Sequence, residues 1–136
     1  MKGIFRRFMM ARRKSSRPTD RELTILRILW DKGPSTVRDV NEAMNQDENT
    51  GYTTTLKLMQ IMAEKGLVRR DDSQFKHVYR HALTEEKTQK QLVGDLLDRA
   101  FSGSAEKLVM RALSAKKVSV KELASIRKMI NEFEGE

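Results

Sequence analysis

The feature that most constrains this chain is a twofold change in the spacing of its apolar residues. They recur at helical intervals from Leu23 to Met62, fall into two short strand-like runs between Leu67 and Arg80, and return to helical intervals from Leu92 onward. Local punctuation sharpens the boundaries. Thr19-Asp20-Arg21-Glu22 reads as a capping box that opens a helix carrying Leu23, Leu26, Ile28, Leu29 and Trp30, and Gly33-Pro34 stops it after about Lys32. Ser35 or Thr36 then caps a short second helix with Val37, Val40, Ala43 and Met44 facing inward. A polar stretch from Asn45 to Gly51 leads into a third helix from Tyr52 to Lys65, ended by Gly66. Its inward stripe is Thr55, Leu58, Met59 and Met62, a pattern that leaves Leu56 and Ile61 awkwardly half outside.

Leu67-Val68-Arg69-Arg70 and Phe75-Lys76-His77-Val78-Tyr79-Arg80 read as two strands joined by a turn at Asp71-Asp72-Ser73-Gln74. Three helices followed by a hairpin is the order of a winged helix-turn-helix. From Thr84 the helical pattern resumes in three segments, the last opened by Ser119-Val120-Lys121-Glu122. The expected fold is therefore mainly α with a small β-hairpin. A basic arm covers residues 1–17, a winged-helix domain residues 18–83, and a helical dimerisation region residues 84–136. The apolar positions Leu92, Leu96, Leu97, Phe101, Leu108, Val109, Leu113, Leu123, Ile126 and Ile130 cannot all be buried by such separate helices, and a second copy would cover them.

Charge looks like a nucleic-acid signal until it is divided along the chain. The net charge is +8, but residues 1–17 alone hold seven basic residues and no acid. Residues 18–83 hold ten basic and ten acidic groups, and residues 84–136 hold ten and nine. The basicity is thus an arm, read as a solvated terminus, a phosphate-contacting extension or a surface-bound amphipathic helix. With no cysteine in the chain, disulfides and thiolate metal sites are ruled out, which fits a reducing cytoplasm. No apolar run approaches the ~20 residues a membrane span needs. His77 and His81 are the only histidines, and no His-Glu-x-x-His or Gly-rich phosphate loop occurs. No enzyme, metal site, cofactor or small-molecule ligand is expected.

The stretch Gly51-Tyr52-Thr53-Thr54-Thr55-Leu56-Lys57-Leu58-Met59, continuing through Glu64-Lys65-Gly66-Leu67-Val68, resembles the BlaI/MecI family of penicillinase repressors. Leu23-x-x-Leu26-x-x-Leu29-Trp30 and Phe101-Ser102-Gly103-Ser104 resemble it too, so the likeness spans about residues 18–134. It implies a cytoplasmic homodimer that represses transcription from a palindromic DNA operator and, in many members, is inactivated by proteolysis set off by a membrane-bound metallopeptidase sensor. Thr53, Thr54 and Lys57 match family positions that meet operator DNA. Tyr52 at the helix start and Gln60 one turn beyond Lys57 join them, with Arg70, Gln74 and Lys76 as phosphate-contacting candidates on the wing. Two family features are absent. Leu108-Val109-Met110-Arg111-Ala112-Leu113 lacks the Asn-Phe pair at which the best-defined members are cut, and the cysteine cluster of the copper-responsive branch is missing. Two other readings stand beside repression: a winged-helix module that binds protein, and a nonspecific nucleoid or RNA binder driven by the arm.

Overall fold

The structure is a computed structural model that describes residues 17–73 and 75–135. Residues 1–16 of the basic arm, and Gln74 of the wing candidates, lie outside the described residues. Contacts divide the chain into two compact units, one ending at Gln89 and the other spanning Lys90–Glu136.

The first unit holds α1 (Asp20–Lys32), α2 (Val37–Met44), α3 (Tyr52–Lys65), β1 (Val68–Asp71), β2 (Val78–His81) and the start of α4 (Glu85–Ala100). The Thr19 hydroxyl accepts from the Glu22 N–H, and the Glu22 carboxylate accepts from the Thr19 N–H at 2.9 Å, so the expected capping box opens α1. Thr36, not Ser35, caps α2, and Asp39 completes a second box there. Ser35 is used otherwise. Its backbone exchanges two hydrogen bonds with Tyr79, adding a one-residue third strand beside β2 and tying the wing to the turn after α1. Gly66 closes α3 at φ 80°, where a side chain would be strained although the space around it is open.

One core joins these elements. Ile25, Leu26 and Leu29 of α1 meet Val37, Val40 and Met44 of α2, Met59 and Met62 of α3, and Leu67, Val68 and Tyr79 of the hairpin. Ile25 is fully buried although its place on α1 falls outside the sequence stripe. Leu58 and Ala43, expected inside, are half-buried at the edge. Leu56 packs partly against the core, whereas Ile61 is 39% exposed. The Trp30 indole donates to the Leu83 carbonyl at 3.0 Å and anchors the chain that leaves the wing.

The hairpin is shorter than the sequence pattern suggests. Pairing runs from Val68 opposite His81 to Asp71 opposite Val78, so Phe75, Lys76 and His77 belong to the connection, not to a strand. The cause is local: the Asp71 carboxylate accepts from both the N–H and the hydroxyl of Ser73, which bends the chain immediately after β1.

The second unit continues α4 and adds α5 (Ala105–Ala115) and α6 (Val120–Glu134). Ser104 and Ser119 cap α5 and α6, each accepting from the N–H three residues on. None of the described residues from 90 to 135 is buried. Leu92, Leu96, Val109, Leu123 and Ile130 are exposed, and Leu97, Phe101, Leu108, Leu113 and Ile126 are half-buried. These helices carry apolar faces without a core of their own to bury them. Among the described residues no helix is long and apolar enough to cross a membrane.

Candidate nucleic-acid interface

A helix that reads a groove must be held firmly from behind, and α3 is clamped at both ends. At its start, Asn41 of α2 donates to the Thr50 carbonyl at 2.9 Å and to the Thr55 hydroxyl at 2.8 Å. Asn45 accepts from the Thr50 N–H at 2.7 Å, and Arg21 of α1 donates to the Thr50 hydroxyl at 2.9 Å. Thr50 and Thr55 are buried, yet no buried side-chain polar atom among the described residues lacks a partner. At the far end, Lys65 reaches the Glu22 carboxylate at 2.8 Å, and that carboxylate is 2% exposed. The sequence reading missed these supports. Asn41 was detectable as a polar residue among inward-facing Val37, Val40 and Met44, but the Glu22–Lys65 pair spans 43 positions and left no local sign.

The opposite face of α3 is open. Tyr52, Thr53, Thr54, Lys57 and Gln60 are all exposed. Thr53, Lys57 and Gln60 fall at i, i+4 and i+7, one stripe opposite the buried Thr55, Met59 and Met62. The start of this helix differs electrostatically from the others. The first turns of α1, α2, α4, α5 and α6 each carry a carboxylate, whereas that of α3 carries none. Gly51, its N-cap, also places no side-chain acceptor over the first N–H groups. Those N–H groups and the positive end of the helix dipole favour an approaching phosphate.

Beside this face lies a groove of about 470 Å³ between the start of α2, α3 and the wing, lined in part by Arg38, Tyr52, Gln60, Arg70, Phe75, Lys76 and His77. It brings together four of the expected site residues, Tyr52, Gln60, Arg70 and Lys76. Thr53, Thr54 and Lys57 stand on α3 outside its lining. Arg38 and Phe75 were not anticipated. Arg38 is largely exposed and pairs loosely with Glu42 at 3.5 Å. Phe75 is fully exposed.

The wing cations are not equivalent. Asp72 grips Arg70 through both carboxylate oxygens, at 2.9 and 3.1 Å, and this pairing raises the guanidinium pKa further. The same carboxylate lies 2.6 Å from His77 Nδ1. Asp71 faces Arg80 at 3.5 Å, and its carboxyl is held below the usual range chiefly by the Ser73 hydroxyl and N–H. Lys57 and Lys76 make no ion pair within 4 Å among the described residues. Asp39 is likewise held low, first by the Thr36 N–H and hydroxyl and then by the charges of Lys76 and Lys32. His81 contacts the Leu83 carbonyl at 3.1 Å, and the described residues contain no cluster of three potential metal ligands.

Residues 18–132 match the family model described as penicillinase repressor. The chain is also 29% identical over 124 residues to the transcriptional regulator BlaI of Mycobacterium tuberculosis, in strain CDC 1551 and in strain H37Rv alike. Those alignments cover 89% of this chain and 88% of the relative.

Proposed function

Because the chain belongs to the penicillinase repressor family of transcriptional regulators, we propose that it represses transcription as a homodimer, each protomer setting α3 against one half of a palindromic DNA operator. The observation that carries this reading is the outer face of α3. It is clamped from behind at both ends, free of carboxylates in its first turn, and lined with Thr53, Thr54, Lys57 and Gln60. Threonine hydroxyls and a lysine suit phosphates and purine edges, and glutamine suits adenine. Lys76 would neutralise a flanking phosphate, setting register without reading sequence. The uncovered apolar faces of α4, α5 and α6 support self-association, with Leu92, Leu96, Leu97, Phe101, Leu108, Val109, Leu113, Leu123, Ile126 and Ile130 meeting their counterparts. The proposed site of action is the cytoplasm. Release by proteolysis linked to a membrane metallopeptidase is proposed on family membership. Co-expression with such a peptidase should shorten the chain on an immunoblot if that route operates.

The test is selection of duplexes from a random pool by the purified protein, followed by fluorescence anisotropy at about 0.15 M salt. A palindromic duplex bound by two chains at least ~10³-fold more tightly than its scrambled counterpart is expected. Lys57→Ala should weaken that complex by ~1–3 kcal/mol if Lys57 meets a base. Equal binding to selected and scrambled duplexes would refute operator recognition.

A further inference from the structure

Phe75 stands out on the wing. A single exposed apolar side chain is ordinary on a protein surface, so exposure alone says little. Position says more. Phe75 sits in the connection between β1 and β2, next to Lys76, and lines the same groove as Tyr52 at the start of α3. Arg38, Arg70, Lys76 and one carboxylate, Asp39, border that groove. Asp72 holds Arg70 and Glu42 holds Arg38, so Lys76 is the bordering cation with no ion pair within 4 Å among the described residues. An apolar ring next to Lys76, in a groove shared with a carboxylate-free helix start, fits a polyanion whose groove walls are hydrocarbon, and duplex DNA meets that description.

We propose that Phe75 is the minor-groove residue of the wing, packing its ring on deoxyribose in the groove flanking each half-site while Lys76 meets the adjacent phosphate. A phenyl ring has no donor or acceptor, so it cannot hydrogen-bond to base edges, and the minor groove offers it no thymine methyl to recognise. It gains most where the groove is narrow and sugars approach it from both sides, as in A·T-rich DNA. The wing therefore selects flanking groove width, and α3 selects bases.

This assignment rests on the DNA reading of α3, and the test separates the two. The probe is the duplex selected by the protein, compared with the same duplex carrying G·C pairs in its flanks. Phe75→Ala should weaken binding to the selected duplex about tenfold. It should leave the salt dependence unchanged, whereas Lys76→Ala lowers the salt slope by about one. Hydroxyl-radical footprints, which report on sugars in the minor groove, should lose flank protection in Phe75→Ala and keep the centre. Phe75→Leu should restore most of the affinity, and the flank substitution should penalise the natural chain several-fold more than Phe75→Ala. Since Phe75 packs against nothing, the thermal melt of Phe75→Ala should match the natural chain. Unchanged affinity and footprint in Phe75→Ala, with Lys57→Ala still impaired, would overturn the wing assignment alone. Failure to select any duplex would remove both readings.

Discussion

Lys65→Met probes how firmly α3 is held. The Lys65 ammonium lies 2.8 Å from a Glu22 carboxylate that is 2% exposed, while Lys65 itself keeps 23% of its side chain in solvent. At an effective dielectric of about 20 the gross attraction at that distance is about 6 kcal/mol, much of it offset by desolvation of the carboxylate. Removing the ammonium leaves Glu22 charged, buried and served mainly by the Thr19 N–H. Breaking a buried pair from one side costs ~3–5 kcal/mol, and the partial exposure of Lys65 argues for the lower end, about 3 kcal/mol. For a unit of this size that lowers Tm by about 12–24 °C. Glu22→Gln removes the charge yet keeps an acceptor for the Thr19 N–H. The double variant should therefore recover about 1–2 kcal/mol relative to Lys65→Met alone. Trp30 is the chain's only tryptophan and lies in the first unit, so urea titration followed by its fluorescence reads this unit specifically. A loss below ~0.5 kcal/mol in Lys65→Met, or no recovery in the double variant, would contradict a buried ion pair as the clamp.

Further expectations follow from the wing, the α2 cap and the second unit. Asp72→Asn should release Arg70 toward phosphate, tightening operator binding at low salt and steepening the salt slope by about one; an unchanged slope would mean that Arg70 never meets DNA. The Asp39 carboxyl is held below its usual range by Thr36, so its stabilising share is complete above about pH 4 and disappears as pH falls through its folded-state value. Tm of the natural chain should accordingly drop more steeply as pH falls below about 4 than Tm of Asp39→Asn, and parallel curves would discount the box. Leu96→Asp and Ile130→Asp place charges on apolar faces now about half exposed. Each should halve the mass seen by sedimentation equilibrium and weaken operator binding at least tenfold through loss of the paired site. A variant that sediments like the natural chain would clear that position from the interface.

How the fold was written in the chain follows from the range of the forces involved. Caps, stops and stripes act within four residues, so Thr19 with Glu22, Gly66, and the inward Val37, Val40, Met59 and Met62 were legible without coordinates. The exposed stripe of Thr53, Lys57 and Gln60 was legible for the same reason, being the complement of a buried one. The apolar excess of α4, α5 and α6 was equally plain, since hydrophobic period requires no partner to be seen. What could not be read locally was decided by tertiary closure. Whether Ser35 or Thr36 caps α2 depends on Tyr79 claiming the Ser35 backbone from 44 positions away. That β2 pairs only from Val78 depends on the turn in which Asp71 folds back on Ser73, and the commitment of Arg70 to Asp72 depends on that same turn. The Glu22–Lys65 clamp and the groove shared by Tyr52, Phe75 and Lys76 exist only once α1, α3 and the wing meet. Periodicity specifies which face of an element turns inward. Which polar side chains then meet across the fold depends on distances that arise only when those faces pack.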